Sequence, residues 1–215
     1  YIADYEDSIS GTRRITELPF YVLGKNIFIT PDNNLIHLRE RAIIDEKNVI
    51  MPTYGILRGF IQVTREDVTP GQEAFAATLD GIERFGNYVN LDEIAGYGQI
   101  DCMVTGASVI SYDGVRFGKG HGFFDLEWAM MREINVVGDH TPIIAAVHDC
   151  QLVDIPLSPD AHDTIVDYIV TPTRTIQVKP IFPKPTRINW EILPEEMRDR
   201  IPPLRQLYSK LRTGI

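Results

Sequence analysis

Short, continuously apolar segments separated by helix-like stretches constrain the fold of this chain more than any other pattern. These segments cover residues 26–30, 48–52, 100–110, 142–148 and 167–171. Their apolar residues are consecutive and do not alternate with polar ones, which is typical of strands buried on both faces of a sheet. Each segment is therefore predicted to be a core strand.

Helical periodicity lies between the predicted strands. Apolar side chains recur at helical spacing in residues 35–46, 72–85 and 123–134. One more short strand is predicted at residues 60–64. Strands that alternate with helices favour a mainly parallel sheet with helices on both faces. The predicted fold class is therefore α/β, and a length of 215 residues is enough for one well-buried domain.

The composition changes after Arg174. Residues 179–185 carry three prolines, and residues 193–210 predict a charged helical tail interrupted by proline. We interpret residues 175–215 as a C-terminal extension that packs against the rest of a single domain, residues 1–215.

A glycine-rich stretch follows the predicted strand at residues 100–110 and is the main candidate for chemistry. It reads Gly-Val-Arg-Phe-Gly-Lys-Gly-His-Gly-Phe-Phe-Asp over residues 114–125, and its cations are Arg116 and Lys119. Open α/β sheets bind ligands at the carboxyl ends of their strands, and glycines before a helix let backbone N–H groups approach an anion. The stretch therefore indicates a phosphate site, although a structural loop accounts for the glycines equally well. It matches neither the Walker A spacing nor the GxGxxG dinucleotide fingerprint.

Carboxylates near this stretch are candidate ligands for Mg²⁺. Asp125 ends the glycine stretch, while Asp163 and Asp167 flank a short turn before the last predicted strand. Mg²⁺ prefers one or two carboxylates together with phosphate oxygens and water. Each carboxylate could instead cap a turn or a helix, and this alternative is favoured for Asp167, which lies at the start of a strand.

Two further groups have both a structural and a functional interpretation. His148, Asp149 and Cys150 follow a buried strand, but neighbouring side chains of a strand point to opposite sides, which disfavours a His–Asp relay. A nucleophile pair of Cys150 and His148 lacks a third group to orient it. Phe123 and Phe124 could stack on a flat heterocycle or belong to the core.

The bulk properties exclude some function classes. A net charge of −9 argues against nucleic acid as a partner. No apolar run approaches the roughly 18 residues of a membrane span, and no secretory signal is visible, so we expect a cytoplasmic protein. Cys102 and Cys150 lie in apolar runs and are expected to be buried, reduced thiols. The first residue is not methionine, so further residues could precede Tyr1.

Two motifs resemble those of a known family. Residues 116–125 are similar, without a gap, to the RLGxGKGYYD signature of the 5-formyltetrahydrofolate cyclo-ligase family. Downstream, residues 155–156, 162–163 and 166–167 resemble the family's P…(N/H)D…VD segment in the same order. Longer runs resemble the methenyltetrahydrofolate synthetase domain-containing branch, at residues 125–131, 147–156, 166–174 and 184–190. The resemblance covers residues 48–205 and is weak before them.

The resemblance implies a three-layer α/β sandwich of the NagB/RpiA/CoA-transferase type that uses ATP, Mg²⁺ and a reduced folate. In the family's reaction the formyl oxygen of 5-formyltetrahydrofolate attacks the γ-phosphate of ATP. N10 then closes the ring, and phosphate leaves to give 5,10-methenyltetrahydrofolate. By motif position, Asp125 and Asp163 would hold Mg²⁺, and Arg116, Lys119 and His121 fall at catalytic positions. Residues that would hold the nucleotide and the folate are Arg116, Gly118, Lys119, Gly120, His121, Gly122, Phe123 and Phe124.

The chain also departs from the family pattern. His121 stands where the family has a lysine, and a neutral imidazole is a poorer partner for phosphate than an ammonium. Phe123 and Phe124 replace two tyrosines, which removes two hydroxyl donors and keeps the stacking surface. The family's basic N-terminal helix has no clear match in residues 1–48, where the arginine pair at 13–14 is the one candidate.

The leading hypothesis is an ATP- and Mg²⁺-dependent cyclo-ligase that acts on 5-formyltetrahydrofolate or a related formylated substrate. The substitution at His121 keeps a second hypothesis open, a nucleotide- or folate-binding domain that has lost catalysis. A pure interaction domain is the third hypothesis.

Overall fold

A computed structural model describes residues 2–213, and strands alternate with helices along most of them. The strands are β1 (Asn26–Ile29), β2 (Asn48–Pro52), β3 (Phe60–Val63), β4 (Asn87–Val89), β5 (Cys102–Gly106), β6 (Val109–Ser111), β7 (Arg116–Phe117), β8 (Ile143–Ala146), β9 (Leu152–Val153), β10 (Tyr168–Val170) and β11 (Thr175–Gln177). The α-helices are α1 (Ser8–Thr16), α2 (Pro19–Leu23), α3 (Ile36–Ile44), α4 (Glu73–Ala76), α5 (Leu79–Phe85), α6 (Leu91–Gly96), α7 (Phe123–Glu133), α8 (Glu195–Arg200) and α9 (Pro202–Thr213).

A large sheet is the centre of the fold. Within the described part of the chain it has eight strands, in the order β11-β10-β8-β5-β1-β2-β3-β4. The strands from β10 to β2 in that order pair in parallel, and antiparallel pairs lie at the two ends. This arrangement confirms the predicted mainly parallel α/β sheet. β6, β7 and β9 form a second, smaller sheet.

The large sheet is buried on both faces because successive side chains of a central strand enter different hydrophobic clusters. In β1, Phe28 joins the cluster that contains residues of α6, α7 and α9. Ile27 and Ile29 join the cluster that contains residues of α1, α3 and α5. All three side chains are fully buried. The result is the predicted sandwich of helix, sheet and helix.

The single helix predicted at residues 72–85 is wrong, because the structure has two helices there, α4 and α5. The hydroxyl of Thr78 caps α5 by accepting a hydrogen bond from the amide of Gly81, and it donates one to the carbonyl of Phe75. The chain turns so tightly that a Cβ on Gly81 would lie 1.7 Å from that carbonyl oxygen. Glycine is therefore required at this junction.

The single strand predicted at residues 100–110 is also wrong. It divides into β5, in the centre of the large sheet, and β6, in the small sheet. At the break, the amide of Ser108 donates to the carbonyl of Phe117, and the side chain of Gln151 donates to the carbonyl of Ala107. These bonds hold the β6–β7 hairpin outside the large sheet, so that the glycine stretch after it borders the end of β5.

The C-terminal residues cover one face of the molecule. α9 packs against α7 and buries Leu204 completely. The indole N–H of Trp128 in α7 donates to the carbonyl of Pro185 at 2.8 Å. These contacts support the interpretation of residues 175–215 as a packing extension of one domain, which stays a prediction. In the described part of the chain no helix is both long and apolar enough to span a membrane.

Candidate functional site

A cavity of about 500 Å³ lies at the carboxyl ends of β1, β2 and β5. An open α/β sheet binds its ligands at such an edge. The residues after β1 and β2, 30–32 and 53–55, and the last two residues of β5, 105–106, form part of its lining. The residues that the family resemblance assigns to the site all line it, namely Arg116, Gly118, Lys119, Gly120, His121, Gly122, Phe123, Phe124, Asp125 and Asp163.

The glycine stretch has a backbone that other residues rarely adopt. Gly120 and Gly122 have φ values of 77° and 63°, in the left-handed region where a Cβ brings strain. Gly122 is the N-cap of α7, and no described side chain caps this helix end. The first turn of α7 therefore keeps backbone N–H groups without intrahelical partners beside the cavity, and such groups bind anions.

Arg116 is the buried cation of the cavity. Its Nη2 donates to Oδ1 of Asp125 at 3.2 Å, and its guanidinium carbon lies 4.5 Å from the ring centroid of Phe124. Its Nε is buried and has no hydrogen-bond partner among residues 2–213. A buried donor without a partner is unfavourable by roughly 1–3 kcal/mol, so a ligand atom that accepts from Nε would be bound strongly.

Asp125 and Asp163, the carboxylates predicted to bind Mg²⁺, are already engaged in hydrogen bonds. Oδ1 of Asp125 accepts from Arg116 and, at 2.8 Å, from the amide of Thr164. Oδ2 of Asp163 accepts from the amide of Asp160 at 2.8 Å and so stabilises its own turn. In the described part of the chain, no three His, Cys, Asp or Glu side chains are arranged to hold a metal ion. A Mg²⁺ ion at these two carboxylates would therefore also need oxygens from phosphate or water.

Asp167 has a structural role, although the bonds of its side chain cap neither a turn nor a helix. Its Oδ2 accepts hydrogen bonds from the amide of Ile143 at 2.7 Å and from the ammonium of Lys184 at 2.6 Å. These bonds join the start of β8 to the C-terminal extension, and Asp167 lies outside the cavity lining.

The segment from His148 to Cys150 also lies outside the cavity. Nδ1 of His148 is 3.1 Å from Sγ of Cys150, whereas the carboxylate of Asp149 accepts from the hydroxyl of Thr171 at 2.8 Å. His148 and Asp149 therefore form no relay, as predicted. The expectation of two buried cysteines is wrong for Cys150, which is exposed in a turn after β8, while Cys102 is buried.

Lys119 and His121 are exposed at the cavity. Partial burial lowers the pKa of the Lys119 ammonium. The imidazole of His121 stacks on the ring of Phe123, with centroids 5.5 Å apart and an angle of 2° between the planes. Phe123 also packs near the loop after β2, where a Cβ on Gly55 would lie 3.4 Å from its ring. The stacked pair offers an aromatic surface that a flat heterocycle could extend.

Glu127 is a cavity residue that the sequence reasoning missed. Its side chain is 4% exposed, and its Oε2 has no partner among the described residues. Burial, together with repulsion from Asp32 and Asp125, raises the pKa of this carboxyl well above its usual range, and Arg116 opposes the shift in part. The signal in the sequence is an acidic residue within an apolar helical run, four positions after Phe123 and therefore on the same helix face.

Comparisons with known proteins identify relatives in sequence and in fold. The profile of the 5-formyltetrahydrofolate cyclo-ligase family matches residues 5–172. The chain is 33% identical over 216 residues to the methenyltetrahydrofolate synthase domain-containing protein of Homo sapiens, covering 97% of this chain and 55% of that protein. It is 32% identical over 80 residues to the 5-formyltetrahydrofolate cyclo-ligase of Mycolicibacterium smegmatis, covering 37% of each chain. The solved Aquifex aeolicus 5,10-methenyltetrahydrofolate synthetase superposes with a TM-score of 0.54 at 17% identity, covering 80% of this chain and 81% of that one.

The extent of each match limits what it shows. At 17% identity, the Aquifex structure shows a shared fold alone. The chain spans about half the length of the methenyltetrahydrofolate synthase domain-containing relatives that it matches, so the activities of those whole proteins do not transfer to it. The family profile, in contrast, matches most of the chain. The chain therefore belongs to the 5-formyltetrahydrofolate cyclo-ligase family.

Proposed function

We propose that this protein converts 5-formyltetrahydrofolate, or a related formylated substrate, to its cyclised methenyl product with ATP and Mg²⁺. The observation that carries the proposal is the convergence of three features on one cavity. These are a helix N-terminus and a buried arginine donor, both without a side-chain partner among the described residues, and two carboxylates. Phosphoryl transfer needs such parts, because its catalysis rests on positioning phosphate groups and offsetting their charge.

The residues present fit a bound phosphate chain. The backbone N–H groups of Gly118, Gly120 and Gly122, with those of the first turn of α7, would donate to phosphate oxygens, and Nε of Arg116 would donate to another. Asp125 and Asp163 would hold Mg²⁺ together with phosphate oxygens. When bound, Mg²⁺ would neutralise part of the charge on the phosphates.

The proposed reaction transfers one phosphoryl group and closes one ring. The formyl oxygen attacks the γ-phosphorus, and ADP leaves. N10 then attacks the formyl carbon and loses its proton, and the C–O bond breaks so that phosphate departs with its electron pair. Arg116, Lys119 and the N-terminus of α7 would offset the negative charge on the phosphate in both steps. The stacked pair of His121 and Phe123 would support the ring system of the folate.

A binding domain without catalysis is the second candidate function, and His121 favours it. Its imidazole is stacked on Phe123, and it lacks the compact ammonium that the lysine of the family pattern offers to phosphate. Such a domain would bind ATP or a folate in the same cavity and release no phosphate.

Turnover and binding together separate these functions. Purified protein is mixed with 5-formyltetrahydrofolate and Mg-ATP, and both methenyl absorbance and phosphate release are followed. We expect one phosphate for each methenyl product and a loss of turnover in Lys119→Ala. Lys25→Ala is the matched control, because Lys25 is exposed and lies outside the cavity lining. Calorimetric binding of ATP without turnover would support the binding domain, and the absence of both turnover and binding would contradict both functions.

A further inference from the structure

Arg200 lines the cavity from a part of the chain that lies beyond the family match. The match ends at residue 172, and Arg200 is the last residue of α8 in the C-terminal extension. It shares the cavity with the glycine stretch. The extension therefore contributes a charged side chain to the candidate site in addition to its packing role.

The backbone around Arg200 is held in place, while its side chain has no partner within the described part of the chain. Ile201 is 1% exposed, and its amide donates to the carbonyl of Met197 at 3.1 Å. Pro203 packs on the loop between β2 and β3, where a Cβ on Gly59 would lie 3.6 Å from its ring. The side chain of Arg200 is exposed and forms no hydrogen bond or ion pair with any described residue.

The neighbouring arginine in the same helix behaves differently. Arg198 donates to Asp199 at 2.9 Å and lies 3.6 Å from Glu195, and its guanidinium carbon is 4.5 Å from the ring centroid of Tyr208. α8 thus has one arginine engaged in packing and one that lines the cavity without a partner among residues 2–213.

Positive charge is scarce in this cavity. Its acidic side chains are Asp32, Asp125, Glu127, Asp160 and Asp163. Its lysine and arginine side chains are Arg116, Lys119 and Arg200. Since Arg116 is paired with Asp125 at 3.2 Å, it supplies only part of its charge to a ligand. A phosphate chain at the N-terminus of α7 therefore needs another cation. The exposed guanidinium of Arg200 can supply this charge.

We propose that Arg200 binds the phosphate chain of the nucleotide, so that the C-terminal extension completes the phosphate site. This inference rests on the proposed function, because it assigns a residue to the nucleotide of that reaction. A guanidinium presents planar N–H donors that can bind two phosphate oxygens at once. Because its backbone is already anchored, binding would order only the side chain.

Binding of inorganic tripolyphosphate to the full chain, measured by calorimetry, tests the role of Arg200. We expect Arg200→Ala to weaken binding by about 10-fold or more, since the lost hydrogen bonds are charged on both sides. Arg200→Lys should recover part of the affinity, because lysine keeps the charge without the planar donors. Arg187→Ala is the matched control, since Arg187 is an exposed arginine of the same extension outside the cavity lining. All variants should unfold at the wild-type temperature.

Three results would overturn the inference. They are unchanged tripolyphosphate affinity in Arg200→Ala, an equal loss in Arg187→Ala, and no binding by the wild type. Turnover of 5-formyltetrahydrofolate is measured separately to distinguish failure of the proposed function. Arg200-dependent binding without wild-type turnover would contradict the reaction and leave Arg200 as a phosphate ligand. Wild-type turnover with an unchanged KM for ATP in Arg200→Ala would contradict the role of Arg200 alone.

Discussion

The buried carboxyl of Glu127 should give this protein a stability that falls as the pH rises. Glu127 is 4% exposed, its Oε2 has no partner among the described residues, and burial raises its pKa well above the usual range. The folded protein therefore keeps a proton on Glu127 at pH values where the unfolded chain has released it. The stability linked to this proton is complete below the unfolded pKa and is lost as the pH rises through the folded pKa. Glu127→Gln removes the titration and keeps the shape of the side chain.

The size of the effect follows from one proton. Unfolding of the wild type releases a proton from Glu127 at any pH between about 4.3, the pKa of an unfolded glutamate, and the raised folded value. In this window the free energy of unfolding falls by about 1.4 kcal/mol per pH unit, a slope that Glu127→Gln lacks. Any change in packing or hydrogen bonding in the variant adds an offset that is the same at every pH. For a chain of 215 residues, the slope corresponds to roughly 3–6 °C in Tm per pH unit.

Urea unfolding of the two proteins at pH 5, 6 and 7, followed by tryptophan fluorescence, measures this difference. The other titrating groups are common to both proteins, so their contributions cancel to first order. We expect the stability of Glu127→Gln relative to the wild type to grow as the pH rises from 5 towards the folded pKa of Glu127. A difference that stays constant over this range would refute the reasoning, because Glu127 would then ionise in the folded protein as it does in the unfolded chain.

Three further predictions concern the charge of the cavity, the reactivity of the two thiols and the packing of α9. His121→Lys adds a cation and should tighten tripolyphosphate binding by about threefold to tenfold in calorimetry, and unchanged affinity would contradict this expectation. Cys150 is exposed and should react with a thiol reagent in the folded protein, whereas burial raises the pKa of the Cys102 thiol, which should react only after denaturation. Absorbance of the released reagent counts the reacted thiols. Reaction of both thiols before denaturation would contradict the burial of Cys102. Leu204→Ala removes a fully buried side chain and should lower the free energy of unfolding by about 2–5 kcal/mol. Leu211→Ala is the control, because this side chain is 60% exposed, and it should change the free energy of unfolding by less than about 0.5 kcal/mol. Equal effects of the two substitutions in urea unfolding would contradict the assigned packing of α9.

The central strands and the site motif could be predicted because their signals are local. Residues 48–52 are largely apolar and end in proline, and β2 has the same bounds (Asn48–Pro52) in the structure. The helix predicted at residues 123–134 corresponds to α7, because its apolar side chains recur at helical spacing. The glycine stretch is consecutive in the chain, so its residues enter one cavity together.

Features that depend on contacts between distant residues could not be predicted in this way. Residues 100–110 look like one strand, and the break within them is set by Phe117 and Gln151, which lie elsewhere in the chain. The raised pKa of the Glu127 carboxyl depends on burial and then on Asp32, which the sheet brings to the same cavity. Arg200 reaches the cavity because the extension is anchored through buried residues, and helical periodicity alone does not say where a tail will pack.

The strand order also bears on how the site forms while the chain is being synthesised. β1 lies between β2 and β5, so its pairing remains incomplete until Val104 is available. The lining of the cavity extends along the chain from Ile2 to Arg200. Contacts this far apart require long loops to close before they contribute stability. A nascent chain should therefore acquire affinity for its ligand in one late step, after α8 is complete. Ligand that binds at that stage would stabilise the whole fold by mass action, because only chains that have folded along their whole length form the complete cavity.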